Sequence, residues 1–191
     1  RRPPEHIDQM SPNLALFLMS PRQHFQNTTH RTGFLEMFKA WQRILPSDRF
    51  FMFENVAYNW PKHGNPMPVF YTHQNAAFIN TFKDDIEGFF FGIYEHRPWE
   101  RDEIDWHSLG VMHLDLHLMS RLWWDTDTDV DALLDEYYEL FYGPAEDQMR
   151  VFIEFCAENH YNMDRNVELI DRALELIAEA EAAGDADTIY G

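Results

Sequence analysis

The sequence predicts an α/β fold in which parallel βα units are followed by a purely helical carboxyl-terminal segment. Three observations carry this. Short apolar runs suited to strands buried on both faces begin at residues 14, 50 and 88, spaced 36 and 38 residues apart. Stretches with apolar residues at helical spacing lie between them. From Asp125 onward only helical patterns remain. Eight such units would need roughly 250–300 residues, the usual size of a closed barrel. The 191 residues hold three clear strands, and a fourth has room only near Met112 or Leu122. Two architectures fit: a small open α/β sheet, or the later part of a barrel whose first half is absent.

The elements follow in order. Leu14–Met19 is a continuous apolar run closed by Ser20-Pro21. The polar segment His24–His30 comes next, then Thr32-Gly33 and a helix marked by Phe34, Phe38, Trp41 and Leu45, stopped by Pro46-Ser47. Phe50–Phe53 is the second strand and runs into Glu54-Asn55. A loop rich in Pro, Asn and Gly from Asn59 to Pro68 leads to a helix over Val69–Phe82. Gly88–Tyr94 is the third strand, followed by Glu95-His96. Leu109, Met112, Leu116, Met119 and Trp123 then recur at +3, +4, +3 and +4, one face of a helix.

Thr128 or Asp129 caps a helix that runs to Tyr142 and ends at Gly143-Pro144. A further helix carries Met149, Phe152 and Cys156 and is expected to break near Asn159–Asn162. It resumes with Val167, Ile170, Leu174 and Ile177. The Ala-Glu repeats of Leu176–Ala183 predict an exposed, weakly packed end, with a frayed tail from Gly184. The division expected is residues 1–124 as a partial barrel and 125–191 as a helical segment packed on it.

Composition narrows the partners. Asp plus Glu number 33 against 15 Lys plus Arg, a net charge of −18. That field repels phosphate backbones and excludes a nucleic-acid surface. The longest apolar runs span only a few residues, far short of a membrane-spanning helix. Arg1-Arg2-Pro3-Pro4-Glu5 has no signal-peptide pattern and no initiator Met, so the start reads as a processing boundary. Cys156 cannot form an internal disulfide and falls in an apolar helical stretch, which predicts a buried, inert thiol.

Two carboxylates stand at matching places: Glu54 directly follows one apolar strand and Glu95 another. In parallel α/β folds the carboxyl ends of strands face the ligand crevice. Adjacent strands lie about 4.8 Å apart, so two such glutamates can reach the separation a glycosidase needs for its acid and its base or nucleophile. Glu95 shares the alternation of Phe89, Phe91 and Ile93, and that row is expected to open into the crevice. Around the pair lie Asn55, Tyr58, Trp60, Tyr94, His96, Arg97 and Trp99, ring faces and hydrogen-bonding groups suited to a sugar. His24 and His30 are placed to line the same crevice. This chemistry needs no cofactor.

Two motifs read as structural. His113 and His117 share a helical face while Asp115 points elsewhere, no third ligand follows in the sequence, and packing histidines are the expectation. Asp125-Thr126-Asp127-Thr128-Asp129-Val130-Asp131 imitates a calcium loop, but its sixth place holds Val130 where Gly is needed. The same acids suit a helix amino terminus.

Leu122-Trp123-Trp124-Asp125, then Asp129-Val130-Asp131-Ala132-Leu133-Leu134-Asp135-Glu136-Tyr137-Tyr138 and Phe141-Tyr142-Gly143-Pro144-Ala145, resemble an uncharacterised domain family grouped with the barrel glycoside hydrolases, near the alpha-glucuronidases. A helix Trp like Trp41, a strand ending near Tyr58-Asn59 and a Gly-containing strand like Gly88–Glu95 extend the resemblance over roughly residues 10 to 160. It implies the carboxyl-terminal half of a (β/α)8 TIM-type barrel with three to four parallel strands, and an amino-terminal half supplied by the same polypeptide. It further implies hydrolysis of an oligosaccharide or polysaccharide by a secreted or periplasmic protein. A non-catalytic carbohydrate-binding or scaffold segment is the alternative, and a metal-dependent hydrolase using His113 and His117 is a more distant one.

Overall fold

Apolar alternation and cap residues lay out the elements of a computed structural model of the chain, which describes residues 2–19, 27–45, 49–55, 68–92, 109–163 and 165–184. In chain order they are β1 (Leu16–Met19), α1 (Thr28–Gln42), β2 (Phe50–Asn55), α2 (Thr72–Phe82), β3 (Gly88–Gly92), α3 (Leu109–Trp124), α4 (Val130–Tyr142), α5 (Glu146–Met163) and α6 (Val167–Ala183). A single 3-10 turn, Gly143–Ala145, joins α4 to α5. The result is a helix-rich α/β fold with a small parallel sheet and a helical carboxyl-terminal segment.

The sheet order is β1-β2-β3 and both pairings are parallel. Leu16 pairs with Phe50 and Met19 with Phe53; Phe51 pairs with Gly88 and Asn55 with Gly92. The three strands are therefore the expected neighbours, although β1 begins two residues later than the apolar run.

The expectation that each strand is buried on both faces does not hold. Leu18, Phe50 and Met52 are buried beneath α1 and α2, packed with Phe34, Phe38, Phe78 and Phe82. Phe38 sets its ring 5.1 Å from both Phe50 and Phe82. On the opposite face Phe17 is 58% exposed, Met19 61% and Phe90 54%. The physical reason is chirality. Right-handed βαβ crossovers send α1 and α2 to the same side of the sheet, and α3 follows them through Trp123, which stacks on Phe89 at 4.7 Å. An unbroken apolar run shows that both faces want cover, not that both have it.

Local sequence sets the helix limits. Asn27 caps α1, its Oδ1 accepting from the backbone N–H of Thr29 and His30 at 3.0 and 3.2 Å. The helix thus begins well before Thr32-Gly33, and Gly33 sits inside it. Asp129 caps α4, accepting from the N–H of Asp131 and Ala132. Gly143 ends α4 at φ 49°, a conformation that favours glycine.

Four further expectations need correction. Met112 and Leu122 belong to α3, so no fourth strand forms there. The buried side of α3 runs through Leu114, Leu118, Met119 and Leu122; of the expected row Met119 is buried, while Leu116 and Trp123 are half-buried, because α3 must serve both α2 and α4. Asn159 does not break α5: its side-chain amide donates to the Phe155 carbonyl at 2.8 Å and the helix continues to Met163. The end of α6 is not weakly packed either. Ala173 and Leu176 are buried in the helical core and Ala180 is buried as well, while Val167, Leu174 and Ile177 face outward.

Helix α2 joins two cores. Phe78 and Phe82 belong to the cluster under the sheet, whereas Ala76 and Ile79 belong to a second cluster built with α3, α4, α5 and α6. Among the described residues no helix is long and apolar enough to cross a membrane.

Gly33 offers a direct check on α1. A Cβ built there meets nothing within 4 Å and its φ is not positive. Gly33→Ala is expected to raise the free energy of unfolding by about 0.5–1 kcal/mol, the helix cost of glycine. Urea titration reads this; a destabilised variant would mean that α1 does not run through residue 33.

Candidate functional site at the carboxyl ends of the strands

In a parallel sheet every strand ends at the same edge. Met19, Asn55 and Gly92 close β1, β2 and β3 there. The returning helices run back from that edge, so the first turns of α1 and α2 border it. Parallel α/β proteins place their ligands at this edge.

Glu54 is the penultimate residue of β2, level with Phe91 of β3, and Asn55 is level with Gly92. Glu95, Tyr94, His96, Arg97, Trp99, Tyr58, Trp60 and His24 lie outside the described residues. His30 is not part of a loop: it stands exposed in the first turn of α1, at the same edge. Of the row expected to carry Glu95, Phe89 is the member whose side chain is described. That row starts against Trp123 and the helix-covered core, while the bare face of β3 is carried by Phe90.

Behind this edge lies a buried polar tie that the sequence reading missed. Helix α2 begins at Tyr71 without a side-chain cap of its own. Asp115, 3% exposed on α3, supplies the acceptor: its Oδ1 receives the backbone N–H of Tyr71 and the Asn75 amide, both at 3.1 Å. An anion at a helix amino terminus satisfies its open N–H groups and favours its dipole. Tyr71 also sets its ring 5.7 Å from His160 of α5, edge to face. Tyr71, Asn75, Asp115 and His160 are all buried, so the cluster ties α2, α3 and α5 together and offers no open reaction centre. Two signals could have found it: an aspartate among Leu114, Leu118 and Met119, and a helix start with no Ser, Thr, Asp or Asn before it.

The histidines of α3 face the rings of α4. His113 stacks on Phe141 at 4.6 Å, and its Nδ1 lies 3.1 Å from the Tyr137 hydroxyl. His117 sits 5.2 Å from the Tyr137 ring, and its buried Nε2 has no hydrogen-bond partner among the described residues. Burial pushes the Tyr137 phenol up and the His117 imidazolium down. This is a packing role. Among the described residues no group of three or more His, Cys, Asp or Glu is placed to hold a metal ion.

A family model described as a domain of unknown function, DUF4838, matches residues 1–154. The chain belongs to the DUF4838 family. No curated protein and no solved structure matches it. The DUF4838 match takes in the sheet, α1 to α4 and the first half of α5, and it ends before α6. Asp115 and its partners Tyr71 and Asn75 fall inside the DUF4838 region, whereas His160 falls outside it.

Within the same region the acidic run diverges to separate partners. Asp125 Oδ1 accepts from the Asp127 N–H, Asp127 pairs with Lys83 at 2.9 Å, Asp129 caps α4, and Asp131 pairs with His73 at 2.8 Å. Lys83 and His73 both lie on or beside α2, so these pairs tether the start of α4 to it. Cys156 is buried, and loss of solvent pushes its thiol up to about 12, as an inert thiol requires.

The buried histidines set a pH dependence. Burial lowers the pKa of His117 and of His160 below the ordinary 6.5. The unfolded chain therefore takes up protons first as the pH falls through 6.5, and stability is lost in that range. Urea midpoints measured from neutral to mildly acidic pH should fall more steeply for the natural chain than for His117→Phe, which keeps a ring on Tyr137 and removes the titration. Equal slopes would mean that His117 is solvated in the folded state.

Proposed function

We propose that the chain is the carboxyl-terminal half of a TIM-type barrel and takes part in hydrolysing a glycosidic bond. One arrangement supports this reading: three parallel strands in chain order, with Glu54 and Asn55 closing the central one. Glu95 follows β3 three residues beyond its end. In the mechanism one glutamate, kept protonated by apolar surroundings, donates to the leaving oxygen. The other activates water or attacks the anomeric carbon. Asn55, Tyr58, Trp60, Tyr94, His96, Arg97 and Trp99, with His24 and His30, orient the sugar by stacking and hydrogen bonding. The net charge of −18 favours neutral glycans over polyanionic ones. A uronate would have to be held by Arg22, Arg31 or Arg97. The rest of the crevice comes from an amino-terminal half of the same polypeptide, acting outside the cell or in the periplasm.

Glu54→Gln and Glu95→Gln, made separately in the full natural polypeptide, test the reading against a panel of aryl glycosides and oligosaccharides. Each keeps the side-chain shape and removes the titratable group. Turnover is expected to fall by about 10²–10⁴, the usual worth of general acid–base catalysis, with the circular dichroism spectrum unchanged. Near-normal turnover in either variant removes that residue from the mechanism.

A further inference from the structure

The helix-free face of the sheet carries Phe17, Met19, Phe51, Phe53 and Phe90. Phe17 stacks on Phe51 at 5.1 Å and Phe53 on Phe90 at 5.4 Å, giving two ring layers that cross the strands. Gly88 stands level with Phe51, and a Cβ there would touch that ring at 3.6 Å, so the phenyl leans over the glycine. Among the described residues no helix packs on this face. Parallel sheets occur almost only with both faces covered.

We propose that this face and the outer edge of β1 together seat further parallel βα units of the same polypeptide, preceding β1 and continuing the sheet past it. The proposal rests on the barrel reading above and identifies the surface through which the two halves join. Two needs must be met at once. The rings need an apolar layer, and Leu16–Met19 need a strand, because β1 pairs only with β2 among the described residues. A helix or a glycan would meet the first need alone.

Chain order argues for the same polypeptide. Strand order in space follows order in sequence, and the right-handed crossover rule sets a preceding strand beside β1 with its helix on the α1 side, so that the added strands, closing into a barrel, lay their own inner side chains over the rings. The approach to β1 agrees. The Met10 N–H donates to the Ile44 carbonyl at 2.7 Å just beyond α1, and the Met10 side chain packs on the helix-side cluster. The chain therefore reaches β1 from the helix-covered side, the route of a crossover. A second copy is disfavoured by two charges of −18. Two bare faces laid together would also leave both β1 edges unpaired.

Thiol labelling of the folded full polypeptide tests this, with Phe17→Cys and Phe90→Cys as probes and Trp124→Cys, at a position 92% exposed, as the accessible control. Alkylation is followed peptide by peptide by mass spectrometry. Both probes should react at least about 100-fold more slowly than the control, since reagent must wait for local opening. Reaction within about threefold of the control overturns the proposal. So does protection that appears only as protein concentration rises, which would identify a second copy, and so does a full polypeptide with no βα unit ahead of β1. Hydrogen exchange of the unsubstituted polypeptide guards against a misfolded variant: the outward amides of Leu16–Met19 should be protected, and fast exchange there overturns the proposal. Labelling reads cover and not chemistry. A protected face combined with normal turnover of Glu54→Gln would retain this inference and remove the hydrolytic role of Glu54.

Discussion

Asp115 is the group on which the placement of α2 depends. A carboxylate taken out of water is costly unless it is well bonded, and here one oxygen receives both a helix-start N–H and a side-chain amide. The exchange is mutual. The uncapped start of α2 gains an anion, and the anion gains donors that cannot drift away. Because α2 carries Phe78 and Phe82 on one side and Ala76 and Ile79 on the other, holding its first turn aligns the core under the sheet with the core of the helical segment.

That alignment has a functional consequence. The start of α2 borders the edge where β2 ends in Glu54 and Asn55, so the tie that orients the helix also shapes the rear wall of the candidate site. Surface side-chain pairs reinforce it. Lys83–Asp127 and His73–Asp131 are exposed on their acidic partners and contribute little singly, yet both link α2 to the start of α4. Rigid support behind a strand-end edge is what a site needs if its working groups sit on loops.

Much of this was legible from residue order alone. The spacing of apolar runs announced βα units, and β1, β2 and β3 are parallel neighbours as that spacing requires. Asp129 and Gly143 bracket α4 because cap chemistry is local. What depends on three dimensions was not legible. Handedness, which a pattern of phenylalanines does not encode, sets the described helices on one face of the sheet. Phe89 stacks on Trp123 of α3, a contact between distant residues that strand alternation alone does not reveal. The Leu176–Ala183 repeat reads as exposed because its small residues score weakly, yet Leu176 and Ala180 within it are buried. Asp115 was set aside as pointing away from the histidines; it does, into the tie with Tyr71 and Asn75. Of the candidate site, the strand-end position of Glu54 and Asn55 follows from the pattern, whereas most of the other candidate residues fall in sequence stretches without a periodic pattern and lie outside the described residues.

The most direct test of the central tie compares Asp115→Ala with Asp115→Asn by urea unfolding and by hydrogen exchange of residues 71–75. The alanine removes the acceptor that the Tyr71 N–H and the Asn75 amide share, an expected loss of at least about 2 kcal/mol with faster exchange across the first turn of α2. The asparagine retains an acceptor oxygen and should lose less than half as much. An alanine variant as stable as the natural chain, with the first turn of α2 still protected, would contradict the account.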